Sequence, residues 1–336
     1  MPGYASREYA GSFSEIAVPR ALPHCGGWVL EREIGGGDAR DAIGCYPLFQ
    51  CEKPSRLGDD LARLGDELVT LSIVPDPFAD FDINDLKEWF PDVCRPFKQH
   101  YVVDFSRNWE ESISSHHRRK VRVGSREVQV VRAENPADVL DDWCALYRQL
   151  INRHSIRGIS RFSRASFEAQ LNVPGIVAFQ AKQGSETVGS LLWYFHGDVA
   201  YYHLGAFSPS GYALGASHVL FHESLAYFAW RRARFAALGS AAGLEANEDD
   251  GLARFKQGWA NASRTAWFCG RVLNRPAYQQ MVAESGSDVG YFPSYRFAND
   301  GQRAGTRQIV EPSVPAPHFR SRAVKAELRS SIPIHE

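Results

Sequence analysis

The stretch Val199–Trp259 constrains this chain most, because it joins several unlike signals in a fixed order. Val199–Phe207 is rich in aromatic and β-branched residues, the composition of a buried strand. A Ser/Pro/Gly loop follows, whose Gly211 and Gly215 free the backbone for positive φ and for close approach to a ligand. Ala216 and Ser217 then open a helix that runs to about Arg234, before a second short apolar run. Strand, glycine loop and helix start together turn free N–H groups and a positive dipole end toward an anion. A plain turn into a core helix carries the same glycines, so both readings stand at this point. The stretch contains neither GxGxxG nor GxxxxGK[ST], which indicates neither a dinucleotide fold nor a P-loop.

A chain of 336 residues has room for two compact domains. Its 44% apolar and 23% charged residues are ordinary globular values. A net charge of −1 argues against a protein that coats nucleic acid, while leaving room for a local basic groove. The N-terminus has no signal-peptide pattern and no run of about 18 apolar residues occurs, so a soluble, cytoplasmic chain without a membrane span is expected. None of the six cysteines sits in a C-x-x-C pair, and no histidine cluster completes a zinc spacing, so no metal is expected.

Residues 1 to about 30 read as a Pro/Gly-punctuated lead-in. Trp28–Ile34 alternates as a strand and breaks at Gly35-Gly36-Gly37-Asp38. Ala42–Phe49 reads as a strand placed at an edge by Pro47, and Leu57–Leu64 has helical spacing. Glu67–Val74 reads as a strand ended by Asp76-Pro77, and Ile83–Trp89 as a short amphipathic helix. In the second half, strands are expected at Lys98–Phe105, Val128–Arg132, Val177–Lys182, Thr187–Tyr194 and Arg264–Phe268. Helices are expected at Trp109–Lys120, Val139–Arg153, near Ser163–Gln170 and near Pro276–Ala283. The helix over Trp109–Lys120 ends in His116-His117-Arg118-Arg119-Lys120-Val121-Arg122. Either this is a solvated basic helix end, or Arg118, Arg119 and Arg122 grip phosphate or a tRNA backbone.

After the first helix of the stretch, an acidic turn (Glu245 to Asp250) leads into Gly251, Leu252, Phe255, Lys256, Gly258 and Trp259. This order of features resembles GNAT-type acyltransferases, and in particular their Fem-type branch, where a Gly-Leu-x-x-Phe-Lys-x-Gly-aromatic segment follows the carrier-binding unit. The resemblance covers the second two-thirds of the chain. Tyr212 departs from it, standing where that family usually has Arg or Gln.

The resemblance implies an α/β (α+β) fold with a GNAT-like mixed sheet flanked by helices, in two tandem GNAT-like units with the first degenerate. Residues 1–97 would form the small unit, 98–297 the acyltransferase domain, and 298–336, rich in Gly, Pro, Ser and Arg, a loosely ordered tail. It also implies an enzyme that moves an acyl or aminoacyl group from acyl-CoA or aminoacyl-tRNA, with no permanently bound cofactor, to a small-molecule, glycan or peptide amine. A non-catalytic GNAT-like binding module is the other class of reading. Gly211, Tyr212, Gly215, Ala216 and Ser217 would hold the carrier. Lys256 would stabilise the transition state, the alternative being a solvated lysine whose stem covers apolar surface. Tyr201 and His203 share one face of their strand, and His203 is either a core residue or a general base. Phe255 and Asp249 would meet the substrate, the latter alternatively forming part of an exposed turn.

Overall fold

The computed structural model describes residues 2–154, 156, 158–241, 251–285 and 290–296. Eleven strands form one sheet: β1 (Val18–Leu22), β2 (Gly27–Glu33), β3 (Arg40–Gly44), β4 (Leu68–Ile73), β5 (Val93–Asp104), β6 (Gln129–Arg132), β7 (Ile176–Gln183), β8 (Glu186–His196), β9 (Val199–Phe207), β10 (Phe235–Gly239) and β11 (Ala262–Val272). Their order across the sheet is β1-β2-β3-β4-β11-β5-β10-β9-β8-β7-β6. The β3–β4 and β9–β10 pairs are parallel and the others antiparallel, which makes the sheet mixed.

The expected mixed α/β architecture is therefore present, as one continuous sheet. The boundary anticipated at residues 97–98 falls inside β5, and β11 crosses back to pair with β4 on the N-terminal side. The proposed tail from 298 onward lies outside the described residues.

Helices cover both faces of the C-terminal half. On one face, helices Leu140–His154 and Arg164–Leu171 join the N-terminal segment, whose Tyr4, Tyr9 and Phe13 are buried against Tyr194, Leu204 and Val199. On the other, helix Ala216–Trp230 lies over β7, β8 and β9, and its Leu220, Phe221, Leu225 and Phe228 are fully buried. Every residue of β9 is buried, as a central strand with both faces covered requires.

Several local expectations need correction. Residues before 30 are not a lead-in: Tyr4 and Tyr9 anchor a core, and Val18–Leu22 is an edge strand carrying Pro19, a position where the missing N–H costs no ladder bond. Pro47 lies beyond β3, which is interior, so the edge assignment of Ala42–Phe49 does not hold. The helix expected over Trp109–Lys120 is two helices, Trp109–Ser112 and Ser115–Gly124, because Ser114 caps the second by accepting the His117 N–H at 3.2 Å.

Candidate active site

The glycine loop after β9 is a helix, Pro209–Leu214. Ser208 is its N-cap, accepting the Gly211 N–H at 3.1 Å, and Pro209 takes the first helical position, where a missing N–H is harmless. Gly211 is buried against β8, and a Cβ there would stand 2.0 Å from the Val188 carbonyl oxygen. Its glycine serves this close backbone approach. Gly215, left-handed at φ 74°, ends the short helix and begins Ala216–Trp230. Ala216 and Ser217 are buried, and Gly124 of helix Ser115–Gly124 packs on the Leu214 and Gly215 carbonyls. Tyr212 is half-buried under the Arg153 guanidinium, 4.7 Å from its ring centroid, and burial pushes its hydroxyl up to about 12.

Past this junction the sheet opens. β9 and β10 pair only from Val199–Phe235 to Tyr201–Ala237, and β10 then reaches Gly239 alongside β5. Within β9, Tyr202 pairs with Trp193 and Leu204 with Leu192, which leaves His203 as the extra residue of a bulge. The bulge bends β9 where its parallel neighbour departs, so a wedge opens between the two strands beyond Tyr201.

Lys256 enters this wedge. On helix Gly251–Gln257 and the turn after it, Leu252, Phe255, Lys256 and Trp259 recur at the spacing of one helical face, and all four are buried. The lysine therefore sits on the apolar side of its helix. Its Nζ donates to the Ser240 carbonyl at 2.8 Å, just beyond β10, and lies 5.7 Å from the Tyr202 ring centroid. A buried ammonium is expensive unless hydrogen-bonded, which a carbonyl and an aromatic face provide here. The reading of a solvated lysine does not hold, since Lys256 is fully buried.

His117 fixes that helix in place. Its Nε2–H donates to the Phe255 carbonyl at 2.9 Å, so Nδ1 accepts from the Ser114 hydroxyl at 2.8 Å. Its ring also covers Gly258, where a Cβ would come within 2.3 Å of it. The glycine of the Phe-Lys-x-Gly segment is thus required by a histidine 141 positions earlier. Burial lowers His117 to about 4 and His218, at a ring separation of 4.8 Å, to about 3. Phe255, expected to meet the substrate, instead packs among His117, His218 and Phe221. Asp249 and the acidic turn lie outside the described residues.

Tyr201 and His203 occupy the opposite face of β9. The Tyr201 hydroxyl donates to Asp76 Oδ2 at 2.6 Å, and Gln50 donates to the same oxygen at 2.8 Å. Burial raises the Asp76 carboxyl above its ordinary value, against the lowering pull of these hydrogen bonds. His203 bonds Tyr4 through Nδ1 at 3.2 Å and Gln170 Oε1 through Nε2 at 3.1 Å, and burial lowers it to about 3. Both ring nitrogens are occupied within the core, so His203 takes the core alternative. Asp76 carried no site signal in the sequence beyond ending a strand, because its partner Tyr201 lies 125 positions away.

Arg118, Arg119 and Arg122 stand exposed on helix Ser115–Gly124. Arg118 also donates to the Glu111 carbonyl at 3.1 Å and to that of Ile113, closing the turn between the two helices. No group of residues suited to a metal occurs among the described residues.

The class follows from fold and sequence together. Residues 112–257 match the family model described as an acetyltransferase (GNAT) domain. More particularly, the chain's architecture is similar to the Fem-type one: FemX superposes with a TM-score of 0.63 at 15% identity, over 82% of this chain and 93% of FemX. The L-PGS of Bacillus licheniformis superposes with a TM-score of 0.54 at 13% identity, over 84% of this chain and 98% of that one. None of the curated proteins matches the chain in sequence.

Proposed function

We propose that this acyltransferase moves an acyl or aminoacyl group from a carrier to an amine at the wedge between β9 and β10. The amine nitrogen attacks the carrier's carbonyl carbon, negative charge collects on the carbonyl oxygen, and the carrier leaves with the electron pair of its ester or thioester bond and takes up the proton that the amine nitrogen gives up. Lys256, held on the Ser240 carbonyl where the strands part, would stabilise that oxyanion. A backbone N–H of the bulged segment around His203 would be the second donor. Lys256 is the observation that carries this reading, and its match in the Fem-type segment supports the same role. The acceptor class would be a small-molecule, glycan or peptide amine.

Aminoacyl-tRNA is the donor we favour over acyl-CoA. Ala216 and Ser217 at the start of Ala216–Trp230, whose amides a pyrophosphate would need, are buried, and helix Ser115–Gly124 packs on the carbonyls just before them. The outer surface of that helix presents Arg119 and Arg122 to solvent, suited to phosphates spread along a polymer. Binding of acetyl-CoA, charged tRNA and uncharged tRNA to the purified chain separates the readings. Charged tRNA should bind, with affinity falling as salt rises and falling further in Arg119→Gln/Arg122→Gln. Retention of acetyl-CoA alone would assign the other donor. Failure of all three to bind would favour a GNAT-like module with no carrier.

A further inference from the structure

The C-terminus of helix Ala216–Trp230 carries a second cluster of charge and aromatic surface, about 22 Å along the helix from its start at Ala216. Trp230 is 75% exposed there, the highest exposure among the large apolar residues of the described chain. The Tyr227 ring lies 6.0 Å from the Trp230 ring, with the Arg132 guanidinium 5.4 Å and the Arg231 guanidinium 5.7 Å from the Tyr227 centroid. Arg231 also covers the Phe195 ring at 5.6 Å and donates to the Tyr227 hydroxyl at 2.7 Å. All three of Arg132, Arg231 and Arg232 are exposed, and the salt bridges among the described residues use other arginines.

Arg232 adds an independent observation. The helix ends in a Schellman motif, with the Arg232 N–H on the Ala229 carbonyl and the Ala233 N–H on the Phe228 carbonyl, both at 3.0 Å. The residue that follows the cap in this motif is left-handed, and glycine is the usual choice. Here it is Arg232 at φ 60°, the one non-glycine residue with positive φ among the described residues. A strained arginine where glycine would relax the chain keeps a side chain that the fold itself does not need.

We infer that this surface, Trp230 with Arg132, Arg231 and Arg232, docks on an anionic lipid bilayer. A tryptophan ring flanked by cations matches the headgroup level, where the ring enters the interface and the arginines meet lipid phosphates. A nucleic-acid strand fits less well. Stacking of successive bases needs several open aromatic faces, and guanidinium groups already lie on Tyr227 and Phe195, which leaves Trp230 alone for it. The inference does not depend on the proposed transfer chemistry.

Co-sedimentation of the purified full chain tests it, using vesicles of phosphatidylglycerol and phosphatidylcholine in equal parts against phosphatidylcholine alone. Binding should appear on the anionic vesicles only and weaken with salt. Arg231→Gln should weaken it about fivefold, and Trp230→Ser by at least a similar factor. Arg232→Gly should weaken vesicle binding yet raise Tm by about 2 °C, because glycine relieves the left-handed strain. A structural residue would not shift those two readouts in opposite directions. Absence of binding to anionic vesicles, or binding unchanged by Trp230→Ser, would overturn the inference. So would loss of tRNA binding in Trp230→Ser with vesicle binding intact, which would reassign the surface to RNA.

Discussion

The two faces of β9 hold polar side chains of equal burial and different character. On one face Tyr201 and His203 are tied to Asp76, Tyr4 and Gln170, which come from the N-terminal half and from helix Arg164–Leu171. On the other face Tyr202 lies beneath Lys256, which reaches the carbonyl just past β10 where the sheet has opened. Buried polar groups joined to each other across distant segments specify how those segments pack. A buried ammonium placed at a break in the ladder sits where a carbonyl group can approach two strand ends. Burial alone therefore does not separate the two faces. The role proposed for Lys256 rests on its position at the strand splay.

Acid is expected to break both faces, and it has the largest effect. Histidine ordinarily titrates near 6.5, while His203 and His218 are held at about 3 and His117 at about 4, in each case chiefly by burial. These folded-state values are depressed for a base, so the unfolded chain binds protons that the native chain refuses. Stability from this source is complete above about pH 6.5 and is lost as pH falls toward 4, at roughly 1.4 kcal/mol per pH unit for each histidine. Melting curves from pH 7 to pH 4.5 should show Tm falling steeply, and His203→Gln should flatten that slope. An unchanged slope would remove His203 from the account.

A smaller effect is expected at Gly211, which separates packing from carrier binding. Gly211→Ala places a methyl group against the Val188 carbonyl and should destabilise the fold by about 3 kcal/mol. Chemical denaturation measures this directly. A stable variant that has lost donor affinity would instead return Gly211 to the carrier site.

Much of this contrast was legible in the sequence only in part. The limits of β9 are those of its apolar run, because a central strand covered on both faces needs unbroken apolar and aromatic residues. Lys256 drew attention only through the Gly-Leu-x-x-Phe-Lys-x-Gly segment around it, and its full burial was not legible, because a lysine by composition reads as solvated. The short helix Pro209–Leu214 was not, since a Ser-Pro start and two glycines have the composition of a loop when the N-cap bond cannot be seen. The faces of β9 beyond Tyr202 also escaped simple alternation, because the bulge puts His203 out of register. Partnerships such as His117 with Phe255 and Asp76 with Tyr201 span more than 120 positions and leave no local pattern.

The smallest effect is expected at Tyr201. Tyr201→Phe removes one hydrogen bond to a buried carboxyl and should cost about 1–2 kcal/mol in unfolding free energy, with turnover per folded molecule unchanged. Loss of turnover without loss of stability would move the chemistry to the Asp76 face.

The central claim is that the chemistry belongs to the Lys256 face of the wedge. Its most direct test is single-turnover transfer from whichever donor binds, measured for Lys256→Met and His203→Gln beside the unaltered chain, with a melting curve on each preparation. Methionine fills most of the lysine's volume, so the variant keeps its packing while losing the ammonium. Lys256→Met should slow transfer on the order of 100- to 1,000-fold, roughly 3–4 kcal/mol, at near-unchanged donor affinity, while His203→Gln keeps its rate per folded molecule. A rate for Lys256→Met within about threefold of the unaltered chain, under roughly 1 kcal/mol in barrier, would contradict the account.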